Sequence, residues 1–282
     1  MLRNNRVLFL RQGSIVDMSV ELSDLLSNSK VFDFTAGDYF YIGSDLPFNH
    51  RYVDVKTVNT VAANLSVDIW VGSNWEACVD IVDETSVAGV PLAQSGIISF
   101  QVDIDRSTWG YDDTDEMLNS GIAAGPKIFG LYWARLSYSA TLNVLTELQY
   151  MGHKFSNDLN LENEYPELSV SNVKTAFKAG KTSWKDQTIA AAEYIIHDLK
   201  GIKNLIRSAD QILQWDLFEK ASIHKTAEII FRAFGDDYRN NMLDANAAYK
   251  DAMKIGKFMI DQNMNANLDD GEKDTNVEYL SR

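Results

Sequence analysis

The chain has 282 residues, 45% of them apolar and 23% charged, with one cysteine and a formal net charge of −14. That length suffices for two cores of ordinary domain size, and the composition is that of a globular protein rather than a disordered one. A lone Cys78 excludes an intrachain disulfide and a cysteine-held metal, which fits synthesis in a reducing cytoplasm, and the acidic balance excludes a basic phosphate-gripping surface.

Both halves share the charge: residues 1–157 carry 10 Lys+Arg against 19 Asp+Glu, giving −9, and the remainder accounts for −5. In chain order, the opening Met1–Arg11 starts basic, but Arg11 ends the apolar run Val7–Leu10 short of the about 7–15 residues of a signal sequence. It reads as a first β-strand. No apolar run reaches the roughly 18 residues that cross a bilayer.

Period-2 alternation follows. Val67, Ile69 and Val71 alternate with Asp68 and Trp70, and Ile98, Phe100, Val102 and Ile104 with Ser99, Gln101, Asp103 and Asp105. Tyr132, Ala134, Leu136 and Tyr138 alternate with Trp133, Arg135 and Ser137, and Leu142, Val144, Thr146 and Leu148 continue the pattern. Turn residues such as Gly43-Ser44-Asp45, Gly72-Ser73-Asn74 and Ser95-Gly96 separate the runs. The N-terminal part, 1–157, is therefore expected to be an all-β sandwich or jelly roll.

The stretch Asn157–Pro166 is polar, lacks a clear period and reads as a linker. Beyond it the period becomes helical. Ser169–Lys178 suggests a short helix. Ser183-Trp184-Lys185-Asp186 has the form of a helix start, with Trp184, Ala192, Ile195 and Leu199 on the buried side and a stop at Gly201. A second helix carries Leu217, Ala221, His224, Ala227, Phe231 and Phe234 and ends at Gly235; a third carries Tyr238, Met242, Ala245, Tyr249 and Ala252 and ends near Gly256. Residues 158–268 are thus expected to form an all-α helical bundle, followed by a polar tail, 269–282.

Residues suited to catalysis are scattered. Cys78 lies in a strand-like Ala77-Cys78-Val79, where a buried, inert thiol is expected. His50, His153, His197 and His224 have no ligand spacing, and His224 falls on an apolar helix stripe, as a satisfied core histidine would. No nucleophile elbow or phosphate loop is present. No catalytic residue and no bound cofactor are assigned. The acidic stretch Asp103, Asp105, Asp112, Asp113, Asp115 and Glu116 reads as a solvated loop, with a Ca²⁺ rim or a glycosidase acid pair as the alternatives. Trp70, Trp75, Trp109 and Trp133 are candidates for stacking on sugar rings, against core packing.

The sharpest metal pattern is Asp261–Glu272, shaped like a twelve-residue EF-hand loop after an incoming helix, Ala245–Ile260. Asp261, Asn263, Asn265, Asp269 and Glu272 supply side-chain oxygens, and Asn267 a carbonyl. Ala266 replaces the usual glycine at the sharp turn, so any Ca²⁺ binding is expected to be weak.

Three stretches carry a resemblance: Ala190-Ala191-Ala192-Glu193-Tyr194-Ile195-Ile196; Ile206–Leu213 leading into Lys220-Ala221 and Ala227–Phe231; and Ala248-Tyr249 running into the Asp/Asn-rich turn. From Trp184 to about Glu272 the chain resembles the helical head–tail connector (adaptor) proteins of tailed bacteriophages. The run Asp38–Asn49, with Ser95-Gly96 and Leu131–Arg135, looks like β domains of phage tail and neck proteins. The resemblance implies a structural virion protein that forms a closed ring, usually of twelve copies, below the portal. Its partners would be itself, the portal, tail or neck proteins, and packaged DNA passing without sequence-specific contact. The alternatives are a neck or fibre-anchoring or carbohydrate-binding β module on a helical oligomerisation domain, and a glycan hydrolase.

Overall fold

The computed structural model describes residues 5–25, 29–103, 108–112, 131–202, 205–255, 260–261 and 263–266. The chain divides into two compact units, Met1–Gly152 with Asn263–Asn267, and His153–Gln262 with Leu268–Arg282.

The first unit holds two antiparallel sheets. One runs in the order β2 (Ser14–Asp17), β1 (Asn5–Arg11), β4 (Tyr39–Ser44), β11 (Leu131–Tyr138), β6 (Leu65–Trp70), β7 (Trp75–Ala77), with β10 (Tyr111–Asp112) paired to β11. The other runs β3 (Lys30–Val31), β12 (Glu147–Gly152), β5 (His50–Thr57), β9 (Gly96–Gln101), β8 (Val79–Asp83). Consecutive β4, β5 and β6 lie alternately in the two sheets, so strands distant in sequence pair at the centre of each sheet, beside the adjacent pairs β1–β2, β6–β7 and β8–β9. Val7, Phe9, Ile42, Val67, Ile69, Ala134 and Leu136 from one sheet share a core with Val53, Val55, Ile98, Phe100, Leu148 and Met151 from the other. Alternation along each strand places these on the inner face, which is the driving force for the layering.

The alternation read from 142 to 148 is only partly a strand. Leu142 and Leu148 are buried, yet Val144 is 57% exposed and lies in a turn before β12 begins at Glu147. Asn143 explains this: its side chain accepts from the Leu145 amide (2.9 Å) and its amide donates to Asn59 Oδ1 (3.0 Å), bonds that compete with a ladder.

The second unit is helical: α1 (Asp158–Glu164), α2 (Ser171–Phe177), α3 (Lys185–His197), α4 (Glu219–Phe234) and α5 (Arg239–Ile255). The stretch read as a linker is α1. Asn157 caps it by accepting from the Asn160 amide, and Leu161 is fully buried beside Trp184, Ala227 and Phe231. Of its two leucines Leu159 is exposed, and one buried residue in seven shows no period, so the anchoring is visible only in three dimensions. Trp184, Ala192, Ile195 and Leu199 are buried as expected. However, α3 gives way after His197 to a π-turn over Asp198–Ile202 instead of continuing to Lys200, and Leu217 is 39% exposed. Gly235, at φ 75°, closes α4 in the left-handed region glycine enters most easily. Among the described residues no helix is long and apolar enough to cross a membrane.

Candidate functional site

Of the cation-loop residues, Asp261, Asn263 and Asn265 are described; Asn267, Asp269 and Glu272 lie outside the described residues. The expected incoming helix is shorter than its sequence reading. Its range ends at Ile255, and Ile260 makes a β-bridge with Ile212. Gln211 holds the next residue from two sides: its carbonyl accepts from the Asp261 amide (2.9 Å), and its side-chain amide donates to the Asp261 carbonyl (2.7 Å). Asp261 is thus fully buried at a backbone pairing. Beyond it, Asn263 Oδ1 accepts from the Asn265 amide, and both Met264 and Ala266 have φ of 61°. Ala266 therefore adopts the left-handed geometry that the missing glycine would favour. Among the described residues no three His, Cys, Asp or Glu side chains gather at metal-binding distance.

The nucleophile and histidine positions are occupied by packing. Cys78 is buried, and burial pushes its thiol up to about 12, so the thiolate is scarce near neutrality. His224 Nδ1 lies 2.8 Å from the Tyr165 hydroxyl, and burial lowers its pKa. His50 Nδ1 lies 2.8 Å from Asn49 Oδ1. His153 Nε2 lies 3.6 Å from Asp210 Oδ1, both side chains being buried. Of the acidic stretch, Asp103 and the backbone of Asp112 are described; Asp105, Asp113, Asp115 and Glu116 lie outside the described residues.

Two polar constellations stand out. In the helical unit, Glu228 on α4 is 1% exposed and pairs with Lys225 (2.9 Å) and Arg232. The Lys225 ammonium sits 4.8 Å from the ring centres of both Tyr194 on α3 and Tyr249 on α5. The Tyr249 hydroxyl donates to Asp198 Oδ2 at 2.5 Å, and burial, then that acceptor, raises its pKa. Charge, ring face and hydroxyl thus tie α3, α4 and α5 together.

In the β unit, the outer face of the first sheet carries a second apolar cluster of Leu8, Tyr41, Trp70 and Trp133, flanked by half-buried Tyr39 and Trp75. Strand register makes this face: Tyr41 lies opposite Leu8 and Arg135, Arg135 opposite Asp68, and Trp70 opposite Trp75. Trp133 packs flat on Gly43, where a Cβ would sit 2.8 Å from the indole ring. Trp133 and Trp70 are 0% and 5% exposed, so the indoles expected to stack on sugars do not both reach a ligand. Trp109 packs on the inner side against Phe48 and Phe100. Trp75 remains accessible, joined by three residues that sequence reasoning missed: Tyr39, Asp68 and Arg135. Their signal was the second alternation in Tyr39-Phe40-Tyr41 and Trp133-Ala134-Arg135, which places aromatic side chains on both faces of the sheet.

No protein-family model matches this chain, and no curated protein matches it.

Proposed function

We propose that this chain is a structural protein of the tailed-bacteriophage neck, a head–tail connector whose copies close into a ring below the portal and extend the DNA channel. The observation that carries this reading is the succession α3, α4, α5 on the stretch that bears the connector resemblance, within a unit that leaves Leu159, Val170, Tyr194 and Leu243 exposed. Aliphatic and aromatic side chains left in water favour contact with other chains, and copies of one chain most often assemble with closed cyclic symmetry. The β unit is read as a jelly-roll module carried on the ring, and the helical unit as the bundle that builds it. The net charge of −14 suits a channel wall, because carboxylates repel phosphates and let DNA pass. Partners on this reading are further copies, usually twelve in all, then the portal and the next tail or neck protein; no catalysis is assigned to the chain.

Electron microscopy of the purified full chain, alone and mixed with the portal of its own virion, tests the reading. Closed rings, or a ring stacked coaxially on the portal, are expected. Uniform monomers that never associate with the portal would overturn it.

A further inference from the structure

The outer face of a sandwich sheet ordinarily shows water an alternating row of polar side chains. Here the part around β4, β11 and β6 shows rings around the ion pair Arg135–Asp68. Arg135 Nε donates to Asp68 Oδ2 at 2.7 Å, with the two side chains 22% and 20% exposed. The guanidinium carbon lies 4.5 Å from the Tyr39 ring centre and 4.7 Å from that of Trp75, so it is clasped between them. That clasp fixes the guanidinium plane. The bond to Asp68 is the only hydrogen bond the Arg135 side chain makes among the described residues, and it leaves the N–H groups on both terminal nitrogens without a protein acceptor. Below the platform the buried indole N–H of Trp133 also has no acceptor among the described residues. The Trp133 N–H is enclosed, whereas the terminal N–H groups of Arg135 reach solvent, where the oxygens of a ligand can meet them.

We propose that Tyr39, Trp75 and the Arg135–Asp68 pair form a binding platform for a neutral pyranose saccharide. The observations select that ligand class in three ways. The ring faces turned away from the guanidinium suit the C–H face of a sugar with equatorial hydroxyls, while a fixed fork of donors beside a carboxylate acceptor suits its adjacent hydroxyls. Asp68 cancels the charge of Arg135, so the platform offers hydrogen bonds without a net field that would favour an anionic sugar. A peptide strand could add only at the edge strand β7, which carries Trp75, and not over Tyr39 and Arg135, whose strands β4 and β11 are paired on both sides. The platform is independent of the ring-forming reading of the helical unit.

The test uses the full chain in calorimetric titrations with triacetylchitotriose and cellotriose as neutral probes and sialyllactose as an anionic one. At least one neutral probe is expected to bind in the millimolar range or tighter, in preference to sialyllactose. Trp75→Ala and Tyr39→Ala should each weaken that binding about tenfold. Asp68→Asn, which leaves the guanidinium uncancelled, should shift preference toward sialyllactose. Near-UV circular dichroism checks that each variant is folded, and where an aromatic variant is not, the selectivity of Asp68→Asn decides. No binding of either neutral probe, binding that survives both aromatic variants, or an unchanged preference in Asp68→Asn would each overturn the platform.

Discussion

At Gly43 the nearest obstacle to any side chain is Trp133. A Cβ there would stand 2.8 Å from three atoms of the indole, and that indole is fully buried and has nowhere to move. Gly43→Ala is therefore expected to destabilise the fold by about 1–3 kcal/mol, as overpacking does, measured by denaturant unfolding. His224 gives a second residue-scale expectation. Burial holds its pKa below the ordinary 6.5, so the unfolded chain takes up the proton more readily than the folded one. The stability it contributes is complete above 6.5 and falls as pH drops through that value toward the lower folded pKa. Unfolding measured from neutral pH down to about pH 5 should show a loss that is smaller in His224→Phe. An identical slope in the two proteins would contradict the assignment.

At the scale of elements, the helical unit depends on a buried charge. Lys225 is 13% exposed, and its carboxylate partner Glu228 is 1% exposed. Glu228→Gln should cost about 3 kcal/mol, because it strands an ammonium among the helices. Substituting Lys254, whose pair with Asp251 is exposed, should leave stability nearly unchanged. Equal losses would show that the buried pair has no special role. Elements with a full apolar face were legible in the sequence: β6, β9 and β11 from their alternation, and α4 from its stripe and its terminal Gly235. Those held by one residue were not. Leu161 is the one buried side chain of α1, Asn143 turns the chain where alternation suggests a strand, and Ile260 pairs with Ile212 rather than lying in the helix. The outer-face platform was half legible. Four tryptophans were visible as candidates, but only register shows that Trp75 joins Tyr39 and Arg135 while Trp133 is buried on Gly43.

For the whole molecule, the chain combines an all-β unit, whose two sheets share one core, with a helical unit, and the two bring different capacities to an assembly. On the proposed connector reading, the helical unit builds the ring through α3–α5 and side chains such as Leu159 and Leu243, which are exposed in the single chain. The β unit supplies paired sheets with an aromatic, charge-balanced outer face, suited to a ligand of different chemistry. An overall charge of −14 is compatible with many copies standing around DNA, because repulsion keeps the duplex from adhering to the wall. The most direct test of the connector proposal is a symmetry-resolved electron-microscopy map of the tailed-phage particle in which it places the chain. A closed ring immediately below the portal, with α3–α5 among the inter-subunit contacts, is expected. Density for the chain only in distal fibres, as separate trimers, would contradict it.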